Sequence, residues 1–134
     1  MKGTDIMSYH FSKTVAMDFQ AAVDKVTAEL KARGFGILTQ IDVRQTLKAK
    51  LDVEFRPYLI LGACNPPFAY RALQAEDKIG TMLPCNVIVQ QHADGSVEVS
   101  AVDPVASMAA VVNAELAGVA EEIRNRLRAV IDAM

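Results

Sequence analysis

The chain has 134 residues, with 14 Lys and Arg against 16 Asp and Glu, giving a formal net charge of −2. That length suits one domain with a core of its own, and a composition 51% hydrophobic and 22% charged is neither disordered nor fibrous. No cluster of Lys and Arg supplies a nucleic-acid footprint, and no apolar run reaches the ~18 residues needed to cross a bilayer.

The N-terminal MKGTDIMSYHF lacks the apolar stretch of a signal peptide, and the two cysteines of a chain that needs no staple read as reduced thiols. A cytoplasmic protein is expected, without a nucleic-acid or membrane partner. Residues 1–7 are polar and expected to fray, and residues 8–134 are expected to form a single α+β domain.

Tyr9, Phe11 and Val15 alternate with polar residues as a half-buried strand does. Asp18 then offers an N-cap to a helix whose apolar stripe is Phe19, Ala22, Val23, Val26 and Leu30, with Gly34 as its C′ residue. A second strand over Gly36 to Arg44 places Ile37, Ile41 and Val43 on one face and Gln40 and Asp42 on the other. Val43, Leu47 and Leu51 predict a short helical turn over the sheet edge.

Arg56 to Cys64 is the most apolar strand and is expected to be central beyond Pro57. Asn65-Pro66-Pro67 signals a helix start, with Asn at the cap and Pro at the first helical position, and the helix should run to about Asp77. Cys85 to Gln91 and Ser96 to Val102 form strands joined at Ala93-Asp94-Gly95, a hairpin signal. Asp103-Pro104 breaks the ladder. Asn113 caps a long helix with Leu116, Val119, Ala120, Ile123, Leu127, Val130 and Ile131 as its stripe.

The order βαβ(α)βαββα predicts a five-stranded, mainly antiparallel sheet with helices on one face. The other face collects Ser12, Thr14, Gln40, Ile60, Ile88, Gln90, Glu98 and Ser100. Ile60 and Ile88 make it too apolar for idle surface; a partly solvated antiparallel sheet explains it, and so does a dimer or ligand face, of which a homodimer is expected.

Gly62-Ala63-Cys64-Asn65-Pro66, then Leu83-Pro84-Cys85-Asn86, with Gly34-Phe35-Gly36, Asp94-Gly95 and Asp103-Pro104, resemble the family of domain of unknown function 302. The resemblance covers nearly the whole chain from about Tyr9. It implies a one-layer α+β domain, often dimeric, and carries no activity, cofactor or catalytic residue with it.

Cys64, Asn65, Cys85 and Asn86 are therefore the candidate ligand-binding residues, at the junction of two Cys-Asn turns. In the functional reading Cys64 is a reactive thiol held as thiolate by the helix that Asn65 caps, with Asn65 and Asn86 orienting a bound anion or carbonyl. The plain reading makes both cysteines small buried hydrophobes, and it is favoured because free Cys is among the most buried residue types.

A zinc site with His10 and His92 is rejected, since Cys85 and His92 lie an odd number of residues apart on one strand and point to opposite faces. No cofactor and no metal are expected. The reading that follows is a small cytosolic domain that dimerises and binds a small ligand. The alternatives are an enzyme using Cys64 as nucleophile or redox thiol, and a purely structural dimer module.

Overall fold

A computed structural model of the chain describes residues 8–134. The expected fraying of residues 1–7 falls outside the described residues. The elements are β1 (His10–Val15), α1 (Phe19–Ala32), β2 (Gly36–Asp42), α2 (Val43–Leu51), β3 (Tyr58–Cys64), α3 (Pro66–Ala75), a 3₁₀ segment (Asp77–Met82), β4 (Cys85–Gln91), β5 (Val97–Val102), α4 (Pro104–Ser107) and α5 (Ala114–Asp132). The strands form one sheet in the order β1-β5-β4-β3-β2, with every neighbouring pair antiparallel. The fold is α+β, as the periodicities predict.

Local chemistry accounts for most element boundaries. The Asp18 carboxylate accepts from the Ala21 N–H at 2.7 Å and starts α1. At its other end Gly34 takes φ +87°, its N–H donates to the Lys31 carbonyl at 3.1 Å, and the Phe35 N–H donates to the Leu30 carbonyl at 2.9 Å. This is the Schellman arrangement, and the buried Phe35 and Leu30 supply its apolar contact.

Asn113 has two tasks. Its Oδ1 accepts from the Leu116 N–H at 3.1 Å and caps α5, while its Nδ2 donates to the Ala75 carbonyl at 2.7 Å and ties α5 to the end of α3. The hairpin between β4 and β5 turns at Gly95, with φ +88° and its N–H donating to the His92 carbonyl at 2.9 Å.

The core lies between the sheet and the helices α1 and α5. Leu59, Leu61, Val87, Val89, Val97 and Val99 meet Val26, Leu30, Leu127 and Val130, all fully or nearly fully buried. Every predicted stripe residue of α5 is buried. Two helices, α1 and α5, cover this face, and α3 packs on α5 at the end of the sheet.

Several expectations are corrected. Tyr9 lies outside β1 and is 67% exposed. Strand β3 is interior, but β4 holds the centre. The expected turn after β2 is a nine-residue helix, α2, with no buried residue. The helix after Asn65 ends at Ala75 and gives way to the 3₁₀ segment, and α4 follows Asp103 where only a ladder break was foreseen.

The largest correction concerns β2. The ladder with β3 slips between Ile37 and Thr39, so Ile37 pairs with Ala63 and Ile41 with Ile60. One extra residue reverses the alternation, and Ile37 and Ile41 therefore lie on opposite faces of the sheet. The uncovered face then carries a continuous row across all strands: Ile41, Ile60, Ile88, Ser100 and Ser12.

Candidate functional site

The site is built where β3 and β4 end. In their register Gly62 pairs with Asn86 and Ala63 with Cys85. Paired residues share a face, so Ala63 and Cys85 look toward the helices while Gly62 and Asn86 look away from them. Cys64 is the last residue of β3, one step past Ala63. Gly62 is required by close approach, since a Cβ there would overlap Thr39 Oγ1 and stand 2.8 Å from Pro84 Cγ. The peptide between Leu83 and Pro84 is cis.

Asn65 occupies the N-cap of α3 in extended conformation, as the following prolines demand, yet its side chain makes no capping hydrogen bond. It is 6% exposed. Pro66 and Pro67 have no N–H, so of the first three helical residues only Phe68 has a donor to give.

Beside this turn lies a cavity of about 280 Å³ between the sheet end, α3 and α5. Cys64, Asn65 and Cys85 line it together with Phe68, Met108 and Ala120. Its wall is almost wholly apolar and includes no His, Asp, Glu, Lys or Arg among the described residues. It reaches the surface where the exposed Leu38 and Leu73 stand.

Both thiols are free. Burial pushes the Cys64 thiol up, and it pushes Cys85 further, to about 11, with repulsion from a Cys64 thiolate adding to the effect. This direction runs against the thiolate of the functional reading and agrees with the plain one. Desolvation sets the direction, and the helix end beside Cys64 has lost two of its donors to proline.

Three of the four candidate residues meet in the cavity, and Asn86 does not. It is exposed on the uncovered face, in an open concavity of mixed polarity that it shares with Tyr58, Ile88, Gln90 and Ser100. The sequence reading missed the opposite wall, formed by Leu116, Val119, Ala120 and Ile123 of α5. An apolar stripe that faces a void has the same period as one that faces a packed core.

The uncovered face also gives both histidines partners. His10 Nδ1 lies 2.7 Å from Ser12 Oγ, which in turn lies 2.7 Å from Ser100 Oγ. His92 Nε2 lies 2.9 Å from Glu98 Oε1 across the hairpin, a carboxylate too far along the chain to be read as its neighbour.

The model of the domain of unknown function DUF302 matches residues 11–134. The chain belongs to that family. A crystal structure of an uncharacterized conserved DUF302 protein from Bacillus stearothermophilus is similar to it, with 30% identity, 92% of this chain and 96% of that chain covered, and a TM-score of 0.86. No curated protein matches.

In this DUF302 domain the Gly62–Pro66 segment closes β3 and opens α3, and its Ala63, Cys64 and Asn65 line the cavity. The Leu83–Asn86 segment divides, sending Cys85 inward and Asn86 outward. No helix among the described residues is long and apolar enough to cross a membrane.

Proposed function

We propose that this DUF302 domain binds a small, largely apolar molecule in the cavity where the Cys64-Asn65-Pro66 turn meets Leu83-Pro84-Cys85. The observation that carries this reading is the void itself: about 280 Å³ with an almost unbroken apolar wall and a single amide, that of Asn65, among its polar side chains. That volume is near the lower end of small-molecule pockets, which are mostly apolar with a few placed polar groups. A packed core leaves no such space, because interiors approach crystal density.

The same lining weighs against the enzyme. A cysteine nucleophile needs a base or a lowered pKa, and here no base lines the cavity and burial moves both thiols upward. A purely structural module has no use for the void. The domain is further proposed to work as a homodimer in the reducing cytoplasm, with the Ile41–Ile60–Ile88 end of the uncovered face as the shielded surface.

Filling the cavity tests the reading. Ala120 is buried in its wall, and Ala120→Phe occupies the space a ligand needs. The wild-type protein is expected to bind anilinonaphthalene sulfonate with enhanced fluorescence, and the filled variant, folded by circular dichroism, to bind at least tenfold more weakly. Equal binding by both would overturn the assignment of the cavity.

A further inference from the structure

The rim of the cavity carries information about the ligand's polar end. Asn65 is 6% exposed, lines the cavity, makes no capping bond to α3, and its side chain has no hydrogen-bond partner among the described residues. Its polar atoms remain open to solvent, since Arg124 Nε is the one fully buried side-chain polar atom left unpartnered among the described residues, and in a wall otherwise apolar this free amide can receive the polar group of a ligand.

A cation stands beside it. Arg126 reaches from α5 and lies 4.9 Å above the ring of Phe68, itself part of the cavity wall. Its Nη1 donates to the Arg33 carbonyl at 3.2 Å, and no carboxylate pairs with it among the described residues. Most of its five donors are thus uncommitted.

Gly34 shows how close the two groups come. A Cβ built there would stand 3.0 Å from Asn65 Nδ2 and 3.6 Å from Arg126 Nη1. Asn65 and Arg126 therefore converge beside Gly34, close enough to share one bound anion. The first turn of α3 adds the Phe68 N–H and the positive end of its dipole, though Pro66 and Pro67 subtract two donors.

We propose that the ligand is an amphiphilic anion, an aliphatic carboxylate, whose chain fills the apolar cavity and whose carboxylate is held by Arg126 and Asn65. The assignment rests on the reading of the cavity as a ligand site. Guanidinium is suited to this task because its planar fork matches a carboxylate with two parallel hydrogen bonds. Phe68 fixes the fork by stacking, and Arg71, whose guanidinium carbon lies 5.2 Å from the centroid of the same ring, adds positive charge beside it.

Octanoate and octan-1-ol share a chain length and differ in charge, so calorimetry with both separates the two claims. Wild-type protein is expected to bind octanoate at least tenfold more tightly than octanol, as a charge-assisted pair at a desolvated rim provides. Arg126→Gln is expected to weaken octanoate about tenfold and to leave octanol within twofold, which also shows that the variant is folded and its cavity intact. Arg126→Lys, which keeps the charge and loses the fork, should fall between them.

If octanol binds and Arg126→Gln leaves octanoate unchanged, or if wild-type protein does not prefer octanoate, the carboxylate assignment is overturned while the cavity reading stands. If wild-type protein binds neither compound, both fail together.

Discussion

Ala63 and Cys85 face each other across β3 and β4, and this one pairing brings the Cys64 and Cys85 thiols to the same cavity although a helix separates them in the chain. Cys85 points into the apolar interior with Val87 and Val89, while Cys64 sits at the strand end with more access to solvent. Their chemistry follows from that difference in desolvation.

Alkylation is therefore expected to be slow and ordered. Iodoacetamide should modify Cys64 before Cys85, and the Cys64 rate should still be rising with pH above neutrality, because burial keeps its pKa above that of an ordinary thiol. With a pKa of about 11, Cys85 holds a thiolate fraction on the order of one in a thousand at pH 8. Peptide mass spectrometry over a pH series checks this. A Cys64 rate that levels off near pH 7, or Cys85 reacting first, would contradict it.

The same shift links folding to pH. The folded-state pKa of Cys85 is raised from 9.0 to about 11, so folding favours its protonated form. That stability is fully present below pH 9.0, declines as the pH rises, and is lost above about pH 11, the folded value. The loss is roughly 2–3 kcal/mol. Urea unfolding at intervals across this window should show the decline, and Cys85→Ala should flatten it while losing about 1 kcal/mol at neutral pH through the methyl-sized gap it leaves. An equal slope in the variant would assign the decline to other groups.

Gly62 is predicted to be intolerant of any side chain. Its position between Thr39 Oγ1 and Pro84 Cγ leaves no volume for a methyl group, so Gly62→Ala should destabilise the domain by about 1–3 kcal/mol. Adding Thr39→Ala removes the hydroxyl that the new Cβ overlaps and should recover part of that loss. Chemical denaturation of the single and double variants measures both terms, and an unaffected Gly62→Ala protein would show that Thr39 and Pro84 move aside freely.

Assembly follows from the outer row. Ile41, Ile60 and Ile88 stand side by side on the uncovered face, whereas the same row continues with Ser100 and Ser12 toward β1. Light scattering at micromolar concentration is expected to give twice the chain mass. Ile88→Glu should halve it while keeping the native circular dichroism, since a charge there meets water in the monomer and an apolar partner in the dimer. A wild-type mass equal to one chain would reject the dimer.

Much of the architecture is legible in the sequence because it depends on neighbours in the chain. Asp18, Gly34, Asn113 and Gly95 act through hydrogen bonds or backbone angles within a few residues, and the stripe of α5 repeats with the helical period, so composition and spacing alone set the order of elements. Candidate site residues were legible to the same depth: Cys64 and Asn65 follow from a turn next to a helix start.

What required the tertiary structure depends on partners distant in sequence. The face taken by Ile41 is decided by a register slip against β3, and the meeting of Cys85 with Ala63 by the pairing of β4 with β3. Glu98 becomes the partner of His92 only when the hairpin closes. Whether Leu116, Ala120 and Ile123 face packed atoms or a void is a property of the gap between surfaces, invisible in any stripe. The direction in which the thiols titrate followed last, because desolvation is set by everything packed around a group and not by the residues beside it in the chain.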